Sequence, residues 1–316
     1  MLDGHGDDAW KYGVPVRANF SSNVFYGELD EGLREQLCLR LGSVTHYPEA
    51  DGRTVRGLAA YAFGVDPEQV LVTNGATEAI YLVAQLFAGR SATILAPAFA
   101  EYEDACRMHG LQVRIASWPG TAEEGFGTDI VFLCNPNNPT GCALPLDELH
   151  RMVEENPGVL FVVDESYIEF TAGAVSLLAG AVSLVQGLPV NVLLLRSLTK
   201  SCRIPGLRVG FVVGQVGRVR QLRRLKMPWS VNQLALEAAG YIFRHADRFV
   251  LPKSRLLEEA ALWREQLRAA TEWEVYDSDT HYFLIRTPEE FTAAQLKQRL
   301  VEGWGLLIRD ASNFRG

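Results

Sequence analysis

Ser197, Thr199, Lys200 and Arg208 are the residues of this 316-residue chain whose types and spacing point most directly to chemistry. Lys200 leaves the end of an apolar run, Asn191-Val192-Leu193-Leu194-Leu195, and enters a loop. The turn at Ile204-Pro205-Gly206 then brings back an arginine eight positions after the lysine. A lone loop lysine reads as a solvated lysine. An amine flanked by hydroxyls and followed by a turn-borne guanidinium is what holding an aldehyde cofactor with a phosphate requires. The amine can bond covalently to the aldehyde, and the guanidinium can meet the phosphate with charge-assisted hydrogen bonds.

Four other segments place polar or aromatic residues directly after apolar runs. Asp164 follows Val159-Leu160-Phe161-Val162-Val163 and opens Asp164-Glu165-Ser166-Tyr167. An aspartate there is a common helix N-cap. The functional alternative is a carboxylate aimed at a ring nitrogen, which keeps a pyridinium protonated and able to draw electrons. Asn135-Pro136-Asn137-Asn138-Pro139-Thr140-Gly141 follows a run ending at Cys134 and must be a turn. A turn alone needs neither two prolines nor this order, and Asn138 would offer a side-chain amide to a phenolic oxygen. Asn74-Gly75-Ala76-Thr77-Glu78-Ala79 sits where a strand passes into a helix. It reads equally as an ordinary capped helix start and as small residues that open backbone N–H groups to a phosphate. Pro97-Ala98-Phe99-Ala100-Glu101-Tyr102 ends a further run, and its aromatics either stack on a planar ring or belong to the core.

Something must gather these segments. From about Tyr47 to Lys226 the sequence alternates short apolar strands (69–73, 92–95, 112–116, 129–134, 159–163, 192–195, 210–214) with helices (76–87, 99–109, 146–155). That alternation predicts an α/β fold, a mostly parallel sheet sandwiched by helices, with strands buried on both faces. Open parallel sheets bind ligands beyond the carboxyl ends of their strands, where these segments fall. After Met227 the texture changes. A long helical region runs to about Ala270, interrupted at Pro252, then strands at 273–276 and 281–286, a helix at 292–304 and a strand at 306–309. This predicts a smaller α+β domain against which the N-terminal residues pack. The expected boundaries are 43–226 for the large domain, and 1–42 with 227–316 for the small one.

Composition narrows the function. With 48% hydrophobic residues and a mean hydropathy of +0.02, the chain can bury a large core. A net charge of −8 and a pI near 5.4 argue against a nucleic-acid partner, whose phosphates need a positive footprint. The basic run from Arg218 to Lys226 reads as a solvated helix face or a subunit edge. The five cysteines (Cys38, Cys106, Cys134, Cys142, Cys202) are scattered and the six histidines isolated. The expectation is reduced thiols in a cytoplasmic enzyme, with no metal site. The acidic, polar start does not read as a signal peptide, and no apolar run approaches the ~20 residues of a membrane span.

The order of the segments along one chain resembles the fold-type-I pyridoxal-phosphate enzymes of the class I/II aminotransferase superfamily, over nearly its whole length. The resemblance implies pyridoxal 5′-phosphate as cofactor, bound by the large domain. Lys200 would take the cofactor's aldehyde through its ε-amino nitrogen and later move protons at the substrate's α-carbon. Asp164 would pair with the pyridinium nitrogen, and Asn138 and Tyr167 would hydrogen-bond the 3-hydroxyl oxygen. Ala76, Thr77, Ser197 and Arg208 would cradle the phosphate. Phe99 would stack on the ring, with Tyr102 as second choice. Tyr47 matches a tyrosine that reaches the phosphate of the neighbouring subunit, which implies a homodimer with shared active sites.

Within the superfamily the chain is similar to histidinol-phosphate aminotransferase and to threonine-phosphate decarboxylase of cobalamin synthesis. The segment from Asn19 to Gly27 resembles a substrate segment that both share. Residues 97–102, 227–232, 282–286 and 307–314 tilt toward the decarboxylase. That resemblance implies a phosphorylated amino-acid substrate, O-phospho-L-threonine, with Asn23, Tyr26, Arg309 and His5 as candidate contacts to its two anions. His5 resembles a phosphate-binding histidine near the start of the decarboxylases, and reads equally as a polar terminal residue without a role. Two departures stand out. Tyr26 lies where decarboxylases commonly carry leucine and aminotransferases tyrosine. The chain also stops at Gly316, before the strand whose arginine would clamp the substrate carboxylate. Arg315 comes too early for that role, and the expectation is a trimmed sequence.

Overall fold

The computed structural model describes residues 5–120, 125–173, 175–178 and 187–314. Seven strands form the central sheet: β2 (Val70–Thr73), β3 (Ser91–Ala96), β4 (Gln112–Ser117), β5 (Ile130–Cys134), β6 (Leu160–Asp164), β7 (Val192–Ser197) and β8 (Gly210–Gly214). Their order is β2-β8-β7-β6-β5-β3-β4. The β3–β4, β3–β5, β5–β6 and β6–β7 pairs are parallel, and β8 runs antiparallel to both neighbours. The expected architecture is therefore the observed one, with strand ends within a residue or two of those read from the sequence.

Helices cover both faces, and the period-2 geometry of strands divides the core between them. Val70, Val72, Val131, Leu133, Phe161, Val163, Leu194 and Phe211 point to one face. There they meet α1 (Glu31–Arg40), α2 (Arg53–Phe63), α5 (Leu146–Glu155) and α7 (Gln233–Arg244), through residues such as Leu33, Ala59, Met152 and Ala239. Leu71, Phe132, Val162, Leu193, Leu195 and Val212 point to the other face. They pack on α3 (Gly75–Leu86), α4 (Ala100–Met108) and α6 (Val216–Leu225), through Ile80, Cys106 and Leu222 among others. Polar side chains inside either layer would need partners, so functional groups gather at the strand ends.

Register fixes which ends meet. Gly210 lies opposite both Thr73 and Ser197, Leu195 opposite Asp164, and Asp164 opposite Cys134. The carboxyl ends of β2, β7, β6 and β5 and the start of β8 thus share one edge. The reversal of β8 delivers Arg208 to the edge that Lys200 has just left.

After β8 the sequence expectations need correction. The helical region is divided more than Pro252 alone requires. Residues 227–232 form a loop, α7 begins where the Asn232 side chain accepts from Ala235 N at 2.9 Å, and a second break separates α7 from α8 (Lys253–Ala270). The two later strands shrink to β9 (Glu274–Val275) and β10 (Ile285–Arg286). Hydroxyls explain why. Thr280 Oγ1 donates to Tyr282 O at 3.0 Å and accepts from Tyr282 N, so side chains take backbone groups that a longer ladder would use. Farther on come α9 (Ala293–Trp304) and β11 (Leu306–Ile308). β11 pairs in parallel with β1 (Ala18–Phe20), and Asp8 forms a buried ion pair with Lys297 of α9 at 2.7 Å. Among the described residues, no helix is long and apolar enough to cross a membrane.

Candidate active site

A cleft of about 500 Å³, part of it open to solvent, lies over the shared strand edge. It is lined by Ala76, Thr77, Phe99, Tyr102, Asn138, Asp164, Tyr167, Ser197, Lys200 and Arg208, and also by Ile80, Cys134, Ser166 and Thr199. Ten residues named from the sequence for the cofactor therefore face one space.

The end of the cleft at Arg208 is built by two glycines. Gly75 opens α3 at φ +71, and a Cβ there would run into the Arg208 guanidinium. Gly210 is flush against the same turn, where a Cβ would lie 2.7 Å from Ala76 N. Arg208 itself holds a left-handed backbone (φ 62) and donates to Pro205 O at 3.0 Å. The Asn74 side chain makes no capping bond, which leaves the first-turn amides of α3 and the positive end of its dipole to an anion. Ser197 Oγ and Thr199 Oγ1 share a hydrogen bond of 2.7 Å beside them.

The end of the cleft at Asp164 is held by the Asn-Pro turn and by β6. Asn135 exchanges hydrogen bonds with Leu144, and Asn137 donates to Pro97 O and Thr140 Oγ1. Two asparagines thus build the turn, and the third, Asn138, lines the cleft. Asp164 is 5% exposed. Its Oδ1 accepts from Ser166 N at 2.9 Å and its Oδ2 from Tyr102 Oη at 2.8 Å. Burial pushes its pKa up, opposed by those two donors and by Lys200. A carboxylate in that state gains from a cation within reach. Burial holds the Tyr167 pKa above its usual value, so it stays a phenol that can donate. Burial, and then the Arg208 charge, lower the pKa of Lys200 and favour the neutral, nucleophilic amine.

Phe99 is half-buried at the mouth, whereas Tyr102 is 1% exposed beneath it. Tyr102 is stacked on Phe132 at 5.4 Å, with 15° between the planes, and meets Phe99 edge-on at 6.0 Å. Phe132 covers its face, so of the two aromatics Phe99 is the one placed to lie on a ligand ring.

The substrate candidates are less concentrated. Asn23 Nδ2 donates to Asn138 Oδ1 at 3.2 Å, and Phe25 N donates to Lys200 O at 3.0 Å, so this segment runs along the cleft. Arg309 is close enough to Tyr167 for its charge to lower the phenol's pKa, and it bonds Asn313 Oδ1 at 3.2 Å. His5 pairs with Glu101 at 3.2 Å and contacts the Phe99 ring. Tyr26 turns away: it is 55% exposed and its hydroxyl donates to Glu259 of α8 at 3.3 Å. Tyr47 is 83% exposed and meets the Trp229 ring at a tilt of 38°, outside the cleft. Thr199, already named among the hydroxyls before Lys200, lines the cleft too, and sequence reasoning gave no role to Ser166, although its place two residues after Asp164 was signal enough. It also passed over Tyr282, whose ring packs on Tyr167 at 5.1 Å and whose hydroxyl donates to Asn137 O.

An amine biased toward neutrality, a buried carboxylate, and a guanidinium facing an uncapped helix start fit an aldehyde-bearing pyridine phosphate. A family model described as aminotransferase class I and II matches residues 18–315. The threonine-phosphate decarboxylase of Salmonella typhimurium is 30% identical over 314 residues, covering 94% of this chain and 83% of that protein. The histidinol-phosphate aminotransferase of Thermococcus gammatolerans is 30% identical over 283 residues, covering 87% of this chain and 79% of that protein. Among solved structures, the L-threonine-O-3-phosphate decarboxylase from Porphyromonas gingivalis is similar with a TM-score of 0.88 at 37% identity, covering 95% of this chain and 91% of that one. The histidinol-phosphate aminotransferase from Sinorhizobium meliloti in complex with pyridoxal-5′-phosphate gives 0.83 at 17% identity, over 98% and 86% of the two chains, a likeness of fold.

Proposed function

This chain belongs to the aminotransferase class I and II family, and on that footing we propose that it decarboxylates O-phospho-L-threonine to aminopropanol phosphate and carbon dioxide. It is a pyridoxal 5′-phosphate enzyme. The observation that carries the finer reading is the 37% identity to the Porphyromonas gingivalis decarboxylase across 95% of this chain, against 17% to the Sinorhizobium meliloti aminotransferase.

When bound, pyridoxal 5′-phosphate supplies an aldehyde carbon for the substrate amine and a ring that accepts the electron pair of the bond broken at Cα. The protein supplies the rest. Arg208, Ser197 and the α3 amides of Ala76 and Thr77 hold the phosphate. Asp164 holds the proton on the ring nitrogen. Tyr167 and the Asn138 amide hydrogen-bond the phenolic oxygen, and Phe99 covers one ring face. Lys200 would hold the aldehyde through its ε-amino nitrogen and would move the proton at the substrate's Cα. Which bond at Cα is turned toward breakage would be set by how the protein holds the substrate. Residues gripping the substrate's two anions therefore choose the reaction. Arg309, Asn23 and His5 are assigned to that grip, with Tyr26 at its margin.

The second reading is an aminotransferase acting on histidinol phosphate or a similar amino acid. It has support from the 30% identity to the Thermococcus gammatolerans enzyme and from Tyr26, the residue type of that branch. Supplying O-phospho-L-threonine and histidinol phosphate in turn, with and without 2-oxoglutarate, separates the two. Carbon dioxide from O-phospho-L-threonine is expected. Amino transfer from histidinol phosphate without gas release would reverse the assignment. We further assign the enzyme to the cytoplasm and to cobalamin synthesis, with the domain limits given above. We also assign it a homodimeric state in which the exposed Tyr47 reaches the phosphate of the partner site. Size-exclusion chromatography with light scattering tests the last point, and a monomer at working concentration would refute it.

A further inference from the structure

Tyr102 is built into the core as a phenylalanine would be, yet it carries a hydroxyl. Its ring is stacked on Phe132 and sealed from solvent, and its hydroxyl donates to Asp164 Oδ2 at 2.8 Å. A buried hydroxyl is costly unless paired, and a bond to an ionised acceptor is among the stronger ones. Burial and the facing Asp164 hold its pKa far above the ordinary range, so it is a donor throughout the working range of pH. Asp164 takes one donor on each oxygen, Ser166 N on Oδ1 and Tyr102 Oη on Oδ2, which fixes the plane of the carboxylate as well as its position. The same ring meets Phe99 edge-on. One side chain therefore touches both the group assigned to the ring nitrogen and the group assigned to the ring face.

We propose that Tyr102 is the positioning residue of the cofactor's pyridine ring, orienting the Asp164 carboxylate through its hydroxyl and the Phe99 ring through its edge. The inference rests on the reading of Asp164 as the partner of the ring nitrogen. Its helical offset explains the geometry. Phe99 caps α4 and Tyr102 follows three residues later, so the two side chains lie one above the other on the face turned to β5 and β6.

The test uses apoenzyme titrated with pyridoxal 5′-phosphate and with the carbocyclic analogue in which the ring nitrogen is C–H. It compares wild type, Tyr102→Phe, Asp164→Asn and the double variant. Tyr102→Phe keeps the ring packing, and unfolding temperature reports any failure to fold. The expected result is about tenfold weaker binding of pyridoxal 5′-phosphate by Tyr102→Phe, as for loss of one hydrogen bond to a charged group. The loss should deepen toward acid pH, because Asp164 without its phenol donor takes up a proton sooner. The analogue should lose less than about twofold, and the double variant should bind no worse than Asp164→Asn. Equal losses for both ligands, no loss at all, or an undiminished tenfold loss in the Asp164→Asn background would overturn the proposal and leave Tyr102 as packing. Wild-type affinity in Asp164→Asn would instead overturn the reading of Asp164, a result distinguishable from the others.

Discussion

Arg208 and Arg309 are both half-buried guanidinium groups assigned to an anion, yet they are held by different means. Arg208 precedes β8, whose register is locked on both sides, and the Gly75–Gly210 contact leaves it little room to move. Arg309 follows β11, a three-residue strand whose partner is the equally short β1, and it leans on Phe314 and Asn313 near the end of the chain. The Arg208 end of the cleft, assigned to the cofactor, is thus a product of sheet register. The Arg309 end, assigned to substrate, is assembled from chain segments whose grip depends on single side chains. A register cannot slip by one residue without turning a whole strand inside out, whereas a side-chain grip can be altered one residue at a time. The difference shows where a shared chemistry can be kept while specificity changes.

The sharpest break of that comparison is Lys200→Ala. Turnover should fall by roughly 10⁴-fold or more, with an unfolding temperature no lower than wild type. The reason is that burial already penalises the charged amine, so its removal costs the fold little. Calorimetry beside the decarboxylation assay checks both halves.

Crossed variants come next. Arg208→Ala should weaken binding of pyridoxal 5′-phosphate by about 10- to 100-fold, the range for a charge-assisted hydrogen bond, and leave the substrate KM of the saturated enzyme nearly unchanged. Arg309→Ala should do the reverse, raising KM by about tenfold while the cofactor titration stays within about twofold. If both variants moved both quantities equally, the cleft would be one coupled unit and the comparison would fail.

Lys297→Met probes the substrate end at a distance. Lys297 clamps Asp8 at 2.7 and 2.8 Å, and so ties down the segment that carries His5. Leaving Asp8 buried without its main partner is unfavourable. Limited proteolysis near the N-terminus should accelerate and KM should rise severalfold, with cofactor affinity intact. Asp8→Asn in the same chain should restore part of the loss.

The smallest effect concerns His281, whose buried ring is stacked on Phe170 at 4.2 Å and whose pKa is pushed down to about 4 from 6.5 by that burial. As pH falls below 6.5 the unfolded chain takes up this proton before the folded one does. Stability present above 6.5 is therefore lost progressively down to about 4 and levels off below it. His281→Phe should flatten this part of the melting-temperature profile. An unchanged slope would mean that other groups set it.

The same contrast governs how much of the molecule could be read in advance. β-strands whose run is apolar up to the last residue or two, such as Ile130–Cys134 and Leu160–Asp164, declare themselves, and the polar residues at or soon after their ends fall at the sheet edge. Lys200, Asp164, Asn138 and Arg208 were legible for that reason. Tyr102 was legible as an aromatic of the cleft but not in its role, because its offset from Phe99 matters only once α4 is laid against β5. The turning of Tyr26 toward Glu259, and the ion pair between Asp8 and Lys297, join positions hundreds of residues apart through side chains alone. No local pattern encodes such meetings. The shortness of β9 and β10 escaped for a related reason, since hydroxyls of the intervening turn compete for ladder groups that alternation alone would assign to strands.

The backward course of β8 has one more consequence. Because the chain leaves the sheet at Ser197 and re-enters it at Gly210, opposite the same residue, the amine and the guanidinium ride on a single closed loop anchored at both feet. The span between its two cationic groups is therefore set by the sheet and not by the outlying helices or the terminal segments. A ligand clasped by both would thus be held from a single closed loop.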